Sequence, residues 1–300
     1  MDKKSMRIGV LMGGPSAERE VSLRSGRAIK DALSARGYKV IALETWLPTR
    51  QELKSAGIDV AFVALHGTFG EDGQIQAILE DLKIPYTGSK VKASRLGMDK
   101  VASRMLFKKA RLNVPDCHVI RNGARTRKKL WTPLVVKPSA QGSSVGVSII
   151  DNLGELENAV AGAFMFGERV LLEKFIQGRE LTVGMLDDRP LPVVQVVPKR
   201  RYYDEVAKYT VGMTEYLCPA PISEKEAKLA QDAAFKAHKA LGCANYSRVD
   251  MIIDDAGKVF VLEINTIPGM TELSLLPKAA KVAGIDFPEL CERMLDSAFI

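Results

Sequence analysis

The run Ser247-Arg248-Val249-Asp250-Met251-Ile252-Ile253, the group Asp254-Asp255-Ala256-Gly257 and the run Lys258-Val259-Phe260-Val261-Leu262-Glu263-Ile264-Asn265 read as strand, turn and strand. If Asp254 pairs with Gly257, Asp250 lies opposite Val261 and diagonal to Glu263. Alternation then puts Arg248, Asp250, Glu263 and Asn265 on one face, and Val249, Met251, Ile253, Phe260, Leu262 and Ile264 on the other. Two carboxylates and a carboxamide on such a face repel one another and are costly to desolvate unless positive charge lies between them. Oxygen donors select a hard cation, and a few carboxylates completed by nucleotide phosphates describe magnesium. A solvent-facing hairpin with hydrated acids is the competing reading. Against it, Thr266-Ile267-Pro268-Gly269-Met270-Thr271 follows at once, bringing backbone amides behind the acids as an oxyanion site needs.

A second segment, VVKPSAQGSSVGVSII, has the form of a strand, a Gly/Ser loop and a strand. Small residues let backbone amides and hydroxyls approach phosphate oxygens, and Lys137 adds charge. No GK[ST] follows, and GxGxxG is absent, so taken alone the loop fits a flexible hairpin equally well. Further on, VLLEKFIQGRELTV carries Glu173 and Lys174 at the end of one strand and Glu180 at the start of another. Backbone groups there could meet an adenine edge and a carboxylate the ribose, although surface ion pairs explain each residue singly. The order phosphate loop, nucleotide linker, cation hairpin is coherent.

These residues need a frame. From Arg7 to about Lys92, strand-like runs alternate with helical periodicity, which predicts a parallel sheet with crossover helices and ligands outside the carboxyl ends of its strands. GGPSAEREVS and HGTFGEDG follow two such strands. Pro85 to Lys100 reads as a junction, with the next helix starting near Met98. After Pro115 most apolar runs are strand-like and closely spaced, with one long helix from about Ser223 to Leu241, so antiparallel α+β structure is expected.

Composition narrows the function. The 300 residues are 46% hydrophobic and 26% charged, enough for two or three packed units. No apolar run reaches the roughly 20 residues a membrane helix needs, so no membrane insertion is expected. MDKKSMRIGVLMGG has no small-residue cleavage site and reads as a first strand, which predicts a cytoplasmic protein. The net charge is +7, but basic residues are dispersed. The clusters Arg125, Arg127, Lys128, Lys129 and Lys199, Arg200, Arg201 lack interleaved aromatics, which argues against nucleic acid. Cys117, Cys218, Cys243 and Cys291 lack CxxC spacing and read as buried or inert thiols. His118 and His238 have no metal-spaced partner, and Trp46, Trp131 and the methionines read as packing.

Taken together, GGPSAEREVSLRSG, HGTFGEDGQIQ, GMDK, VVKPSAQGSSVGVS, YYDEVAKYT, TEYLCPAP, SRVD and LEINTIPGMTELSLLP resemble the D-alanine:D-alanine ligase family of the ATP-grasp superfamily over essentially the whole chain. The resemblance implies an α/β, Rossmann-like unit over 1–96 and a two-part ATP-grasp fold over 97–178 and 179–300, with a lid loop at 199–216. It implies ATP-dependent joining of two D-alanines through an acyl phosphate, for peptidoglycan precursors. It assigns Glu18 and His66 to the first substrate, a Ser143–Tyr209 link to site closure, Arg248 and the Gly269 amide to the oxyanion, and Ser274 to the second substrate. Lys100, Lys137, Ser144 and Lys208 would meet the phosphates, Glu173 and Lys174 the adenine, and Glu180 the ribose. Asp250 and Glu263 would hold one magnesium, and Glu263 and Asn265 another; manganese and a monovalent cation are compatible with the family, and a homodimer is expected. Lys208-Tyr209 matches the dipeptide-forming pattern, whereas Glu205-Val206, Ser247 and Glu272-Leu273 depart from the usual residues. The alternatives are another ATP-grasp carboxylate-amine or D-alanine:D-lactate ligase, and a non-catalytic nucleotide-binding regulator.

Overall fold

The computed structural model describes residues 3–122, 124, 129–200, 203, 207, 208, 210, 212–272 and 274–299. Arg125, Arg127, Lys128, Arg201, Glu205, Val206, Tyr209 and Leu273 therefore lie outside the described residues, as does part of the expected lid.

The first sheet is parallel, as the alternating pattern requires. It contains β1 (Arg7–Gly13), β2 (Lys39–Thr45) and β3 (Val60–Val63) in the order β2-β1-β3. The crossover helix α1 (Arg19–Ala35) packs Leu23, Ile29 and Leu33 inward, and α2 (Arg50–Ser55) and α3 (Gln74–Asp81) follow. The central strand is buried from Ile8 to Gly13, because layers cover both faces.

The expected junction contains a helix, α4 (Val91–Met98), and the next one, α5 (Lys100–Lys109), begins two residues later than expected. Its small residues pack rather than break: a Cβ on Gly97 would stand 3.1 Å from Thr266 Cγ2. Asp99 caps α5, accepting from the Val101 and Ala102 N–H groups at 3.0 and 3.2 Å and from Arg169 Nη2 at 2.7 Å. Asp99→Ala is expected to cost about 1–2 kcal/mol, read as a lower urea midpoint at unchanged slope. An unchanged midpoint would show that the cap contributes nothing.

The second sheet is antiparallel: β4 (Cys117–Arg121), β5 (Leu134–Pro138), β6 (Ser148–Ile150) and β7 (Arg169–Lys174), in the order β4-β7-β5-β6. Helix α6 (Leu156–Phe164) covers it and closes a core of its own around Leu134, Val136, Val170 and Leu172. The third sheet is also antiparallel: β8 (Arg179–Leu186), β9 (Arg189–Pro190), β10 (Val194–Pro198), β11 (Thr214–Leu217), β12 (Ser247–Ile253) and β13 (Val259–Asn265). Its order is β11-β10-β8-β12-β13, with β9 on β8. Helix α7 (Glu224–Leu241) lies against it and runs as expected from its pattern, capped by a Ser223/Glu226 capping box and ended by left-handed Gly242. Helices α8 (Leu275–Val282) and α9 (Phe287–Asp296) share a core with the first sheet, where Leu276 and Leu290 join Val10 and Phe62.

The hairpin register differs from the expected one. Asp250 pairs directly with Glu263 and Arg248 with Asn265, but Met251 pairs with Val261, so Leu262 is an extra residue in a β-bulge. Val259, Val261 and Ile264 enter the core with Val249, Met251 and Ile253, whereas Leu262 turns to the site face and Phe260 is also outside the core. A turn signal fixes where a hairpin starts, and a bulge then resets the alternation beyond it.

Trp46 does not pack in the core: it is 59% exposed and stacks beneath Arg19. Met105 and Met165 are likewise exposed. Trp131 stacks on His118, and His238 is a core histidine between Ser247 Oγ and Asp188 Oδ1. All four cysteines are free thiols, and burial pushes Cys117 up to about 11 and Cys243 to about 12. Among the described residues no helix is long and apolar enough to cross a membrane.

Candidate active site

Two adjoining cavities, of about 280 and about 160 Å³, open where the three sheets meet. The larger is lined by Glu18, His66, Ser143, Arg248, Gly269 and Ser274, and also by Asn265. The smaller is lined by Lys100, Lys137, Ser144, Glu173, Lys174 and Glu180, with Asp250 at its floor. Glu263 and Lys208 border both. Every described residue singled out from the sequence for chemistry thus faces one divided cleft.

On the site face of the hairpin, Asp250 and Glu263 each meet a cation of the protein. Arg248 grips Asp250 with Nε to Oδ1 at 2.9 Å and Nη2 to Oδ2 at 2.7 Å. Thr182 Oγ1 donates to Asp250 Oδ1 at 2.6 Å, and Asn265 Nδ2 to Oδ2 at 3.1 Å. Burial alone would lower the Arg248 pKa, but the Asp250 charge outweighs it and raises it. Glu263 lies 2.9 Å from Lys100 Nζ. Burial pushes the Glu263 carboxyl upward, yet Lys100, Lys208 and Lys137 together hold it down at about 2.

The Gly/Ser loop leaves β5 and carries Ser143 and Ser144 in succession at φ 49° and 61°. Side chains pay for left-handed backbone, so consecutive non-glycine residues there mark a loop shaped for its contacts. Ser143 Oγ donates to Glu18 Oε1 in a short hydrogen bond, and Ser144 Oγ donates to the Tyr203 carbonyl at 3.0 Å. A Cβ on Gly142 would come within 3.0 Å of Glu18 Oε2, so glycine allows this close approach. Lys100 Nζ also donates to the Gln141 carbonyl at 2.6 Å, tying the loop to α5.

In the smaller cavity Glu173 is 2% exposed and held by Arg104 Nη1 at 2.6 Å and Lys137 Nζ at 2.8 Å. Burial raises Glu180 to about 7, its largest opposing influence being Lys208. Ile252 and the bulged Leu262 supply an apolar floor. Lys208 Nζ lies 5.0 Å from the Tyr203 ring centre.

In the larger cavity a Cβ on Gly269 would stand 2.8 Å from Ser274 Oγ, which accepts from the Thr271 N–H at 3.0 Å. His66 is buried with both ring nitrogens engaged, Nδ1 at 3.0 Å from the Ile267 carbonyl and Nε2 at 3.3 Å from Ser25 Oγ. It lines the cavity, but these protein contacts leave it supporting the wall. Burial holds His66 below its ordinary pKa despite nearby Glu18.

Sequence reasoning missed Glu71, Ser25, Arg104 and Thr182. Glu71 stands within the quoted HGTFGEDG, and burial followed by Glu18 repulsion lifts it to about 8. Ser25 and Thr182 likewise stand within the quoted GGPSAEREVSLRSG and VLLEKFIQGRELTV, where neither residue type marks a site role, and Arg104 lies in α5 outside every quoted segment.

Comparison with known proteins decides the family. The model described as "D-ala D-ala ligase C-terminus" matches residues 94–296, and "D-ala D-ala ligase N-terminus" matches 44–89. A "D-alanine--D-alanine ligase" of Syntrophotalea carbinolica is 50% identical over 293 residues, covering 97% of this chain and 96% of that protein. The chain belongs to the D-alanine:D-alanine ligase family. A relative of the same name from Geotalea uraniireducens is 47% identical over 298 residues, covering 98% of this chain and 96% of that protein. The crystal structure of the Bacillus anthracis D-alanine--D-alanine ligase complexed with ATP superposes with TM-score 0.84 at 33% identity, covering 98% of this chain and 97% of that one. A second structure of that enzyme gives 0.89 at 35% identity over the same shares. The succession of a parallel sheet and two antiparallel sheets is therefore the ATP-grasp arrangement.

Proposed function

We propose that this enzyme uses ATP to join two D-alanines into D-alanyl-D-alanine for peptidoglycan synthesis. The observation that carries this reading is the divided cleft: Glu18, Arg248, Gly269 and Ser274 surround one chamber, a lysine-lined chamber adjoins it, and Glu263 stands between them. ATP fits the smaller chamber, with Lys100, Lys137 and Lys208 on its phosphates, Ser144 in the phosphate loop, Glu173 and Lys174 beside adenine, and Glu180 on the ribose. Glu18 binds the ammonium of the first D-alanine, whose carboxylate takes the γ-phosphoryl group. The amine of the second D-alanine, held by Ser274, then attacks the acyl phosphate, Arg248 and the Gly269 N–H stabilise the oxyanion, and its collapse expels phosphate as the amine gives up a proton, leaving the dipeptide beside the ADP of the first step. Tyr209 belongs with Ser143 in the closure link, and segment 199–216 in the lid that keeps water from the acyl phosphate.

Asp250, Glu263 and Asn265 are the residues that would hold magnesium. The donor set fits: two carboxylates pair directly across the hairpin with an amide beside them, and both need the protein's own cations for neutralisation. Bound magnesium would neutralise phosphate charge and align the transfer. Two ions sharing Glu263 follow from the family pattern. We also divide the chain at 96/97 and 178/179, a division supported by where the three sheets fall. A cytoplasmic location agrees with the use of ATP, and a homodimer rests on family membership.

Phosphate release from ATP and magnesium tests the reading. D-alanine is expected to stimulate release at least tenfold more than L-alanine or D-lactate, with D-alanyl-D-alanine as product. No D-alanine stimulation would reject it.

A further inference from the structure

Three buried side chains from the first unit grip the backbone that leads through Gly269. The Ile267 N–H donates to Glu71 Oε1 at 3.2 Å, and His66 Nδ1 lies 3.0 Å from the Ile267 carbonyl oxygen, so both polar groups of this residue are held. The Met270 N–H donates to Ser25 Oγ at 3.1 Å, and that hydroxyl lies 3.3 Å from His66 Nε2. Because Nδ1 faces a carbonyl, it carries the ring proton, and the Ser25 hydroxyl donates to Nε2. The other Glu71 oxygen accepts from the Gly67 N–H at 2.8 Å. One carboxyl group thus joins the loop after β3 to the loop after β13. Gly269 lies between the two gripped residues, and Pro268 restricts the backbone before it.

We propose that Glu71, assisted by His66 and Ser25, is a positioning residue for the Gly269 amide: it fixes the 267–270 backbone so that this N–H meets the oxyanion formed when the second substrate attacks. The inference rests on the ligase reading above. Both oxygens of the Glu71 carboxyl group are needed, since each takes an N–H from a different loop. A carboxamide has one acceptor oxygen and must abandon one of the two. The oxyanion exists only in the second half-reaction, so losing the clamp acts there and leaves phosphoryl transfer to the first D-alanine intact. Small misplacements of a transition-state donor cost more rate than binding.

The test compares two rates in Glu71→Gln and Ser25→Ala. Oxygen-18 exchange between the bridging and non-bridging positions of ATP in the presence of D-alanine reports acyl phosphate formation, and dipeptide formation reports the complete reaction. In both variants dipeptide formation is expected to fall at least about tenfold while exchange stays within about threefold of the unaltered enzyme. Equal loss of both rates, or loss of neither, overturns the proposal. Leu79→Ala weakens the apolar core that Ile267 also enters but removes none of the hydrogen-bonding groups of the clamp, so it is expected to leave the ratio of the two rates unchanged. If it shifts that ratio as far as Glu71→Gln does, the clamp is merely structural and the proposal falls. An unaltered enzyme that makes no dipeptide overturns the ligase reading itself, and this inference with it.

Discussion

Glu263→Gln is expected to lower turnover by about three orders of magnitude, equivalent to about 4 kcal/mol of transition-state stabilisation. The carboxylate borders both chambers, and Lys100, Lys137 and Lys208 hold it ionised down to about 2. Glutamine keeps the shape and removes the charge that the proposed magnesium site requires. Steady-state phosphate release at saturating ATP and D-alanine checks this; retention of a tenth of the activity would remove Glu263 from its central role. Stability should respond as well. A carboxyl held at about 2 against an ordinary 4.5 contributes stability above about pH 4.5 and loses it as pH falls towards 2. The variant should therefore melt below the unaltered enzyme at neutral pH, and the gap should narrow below about pH 4.5. A gap that widened with acid would contradict the sign.

Arg248→Lys is expected to cost about a hundredfold in turnover, with a smaller change in the KM for ATP. Lysine retains the charge but not the fork whose Nε and Nη2 grip the two oxygens of Asp250. That grip fixes the plane of the guanidinium at the larger chamber, where the proposed reaction develops its oxyanion. Rates measured against D-alanine concentration separate the two possibilities: a change confined to KM would assign Arg248 to ground-state binding alone.

The alternating sequence from Arg7 onward predicted a parallel sheet, and the closely spaced runs after Pro115 predicted antiparallel ones; both are present. Long apolar periodicities survive any detail of packing. Local exceptions do not. Leu262 is an ordinary strand residue, and nothing in its type shows that it occupies a bulge that turns it beside Glu263. The small residues of α4 look like linker in sequence because the reason for them, close packing against Thr266, lies 169 positions further along the chain from Gly97. At HGTFGEDG two adjacent acids differ only by direction: Asp72 caps its own turn through the Phe69 and Gln74 N–H groups, whereas Glu71 reaches Ile267. The hairpin acids were legible because two of them share a face with an arginine and an amide. Ser25 was not, being one small residue inside a helix.

The separate core of the second sheet has a mechanical consequence. Its apolar residues are closed off by α6, and the contacts that tie this sheet to α5 and to the first unit near the smaller chamber include polar ones: Lys100 N–H to the Ser139 carbonyl, Arg104 to Glu173, Arg169 to Asp99, and Ser143 to Glu18. Parting those contacts exchanges protein partners for water, so each costs far less than its strength in isolation. A joint held this way can yield before the greasy interiors on either side of it do, as a jaw turns on its hinge.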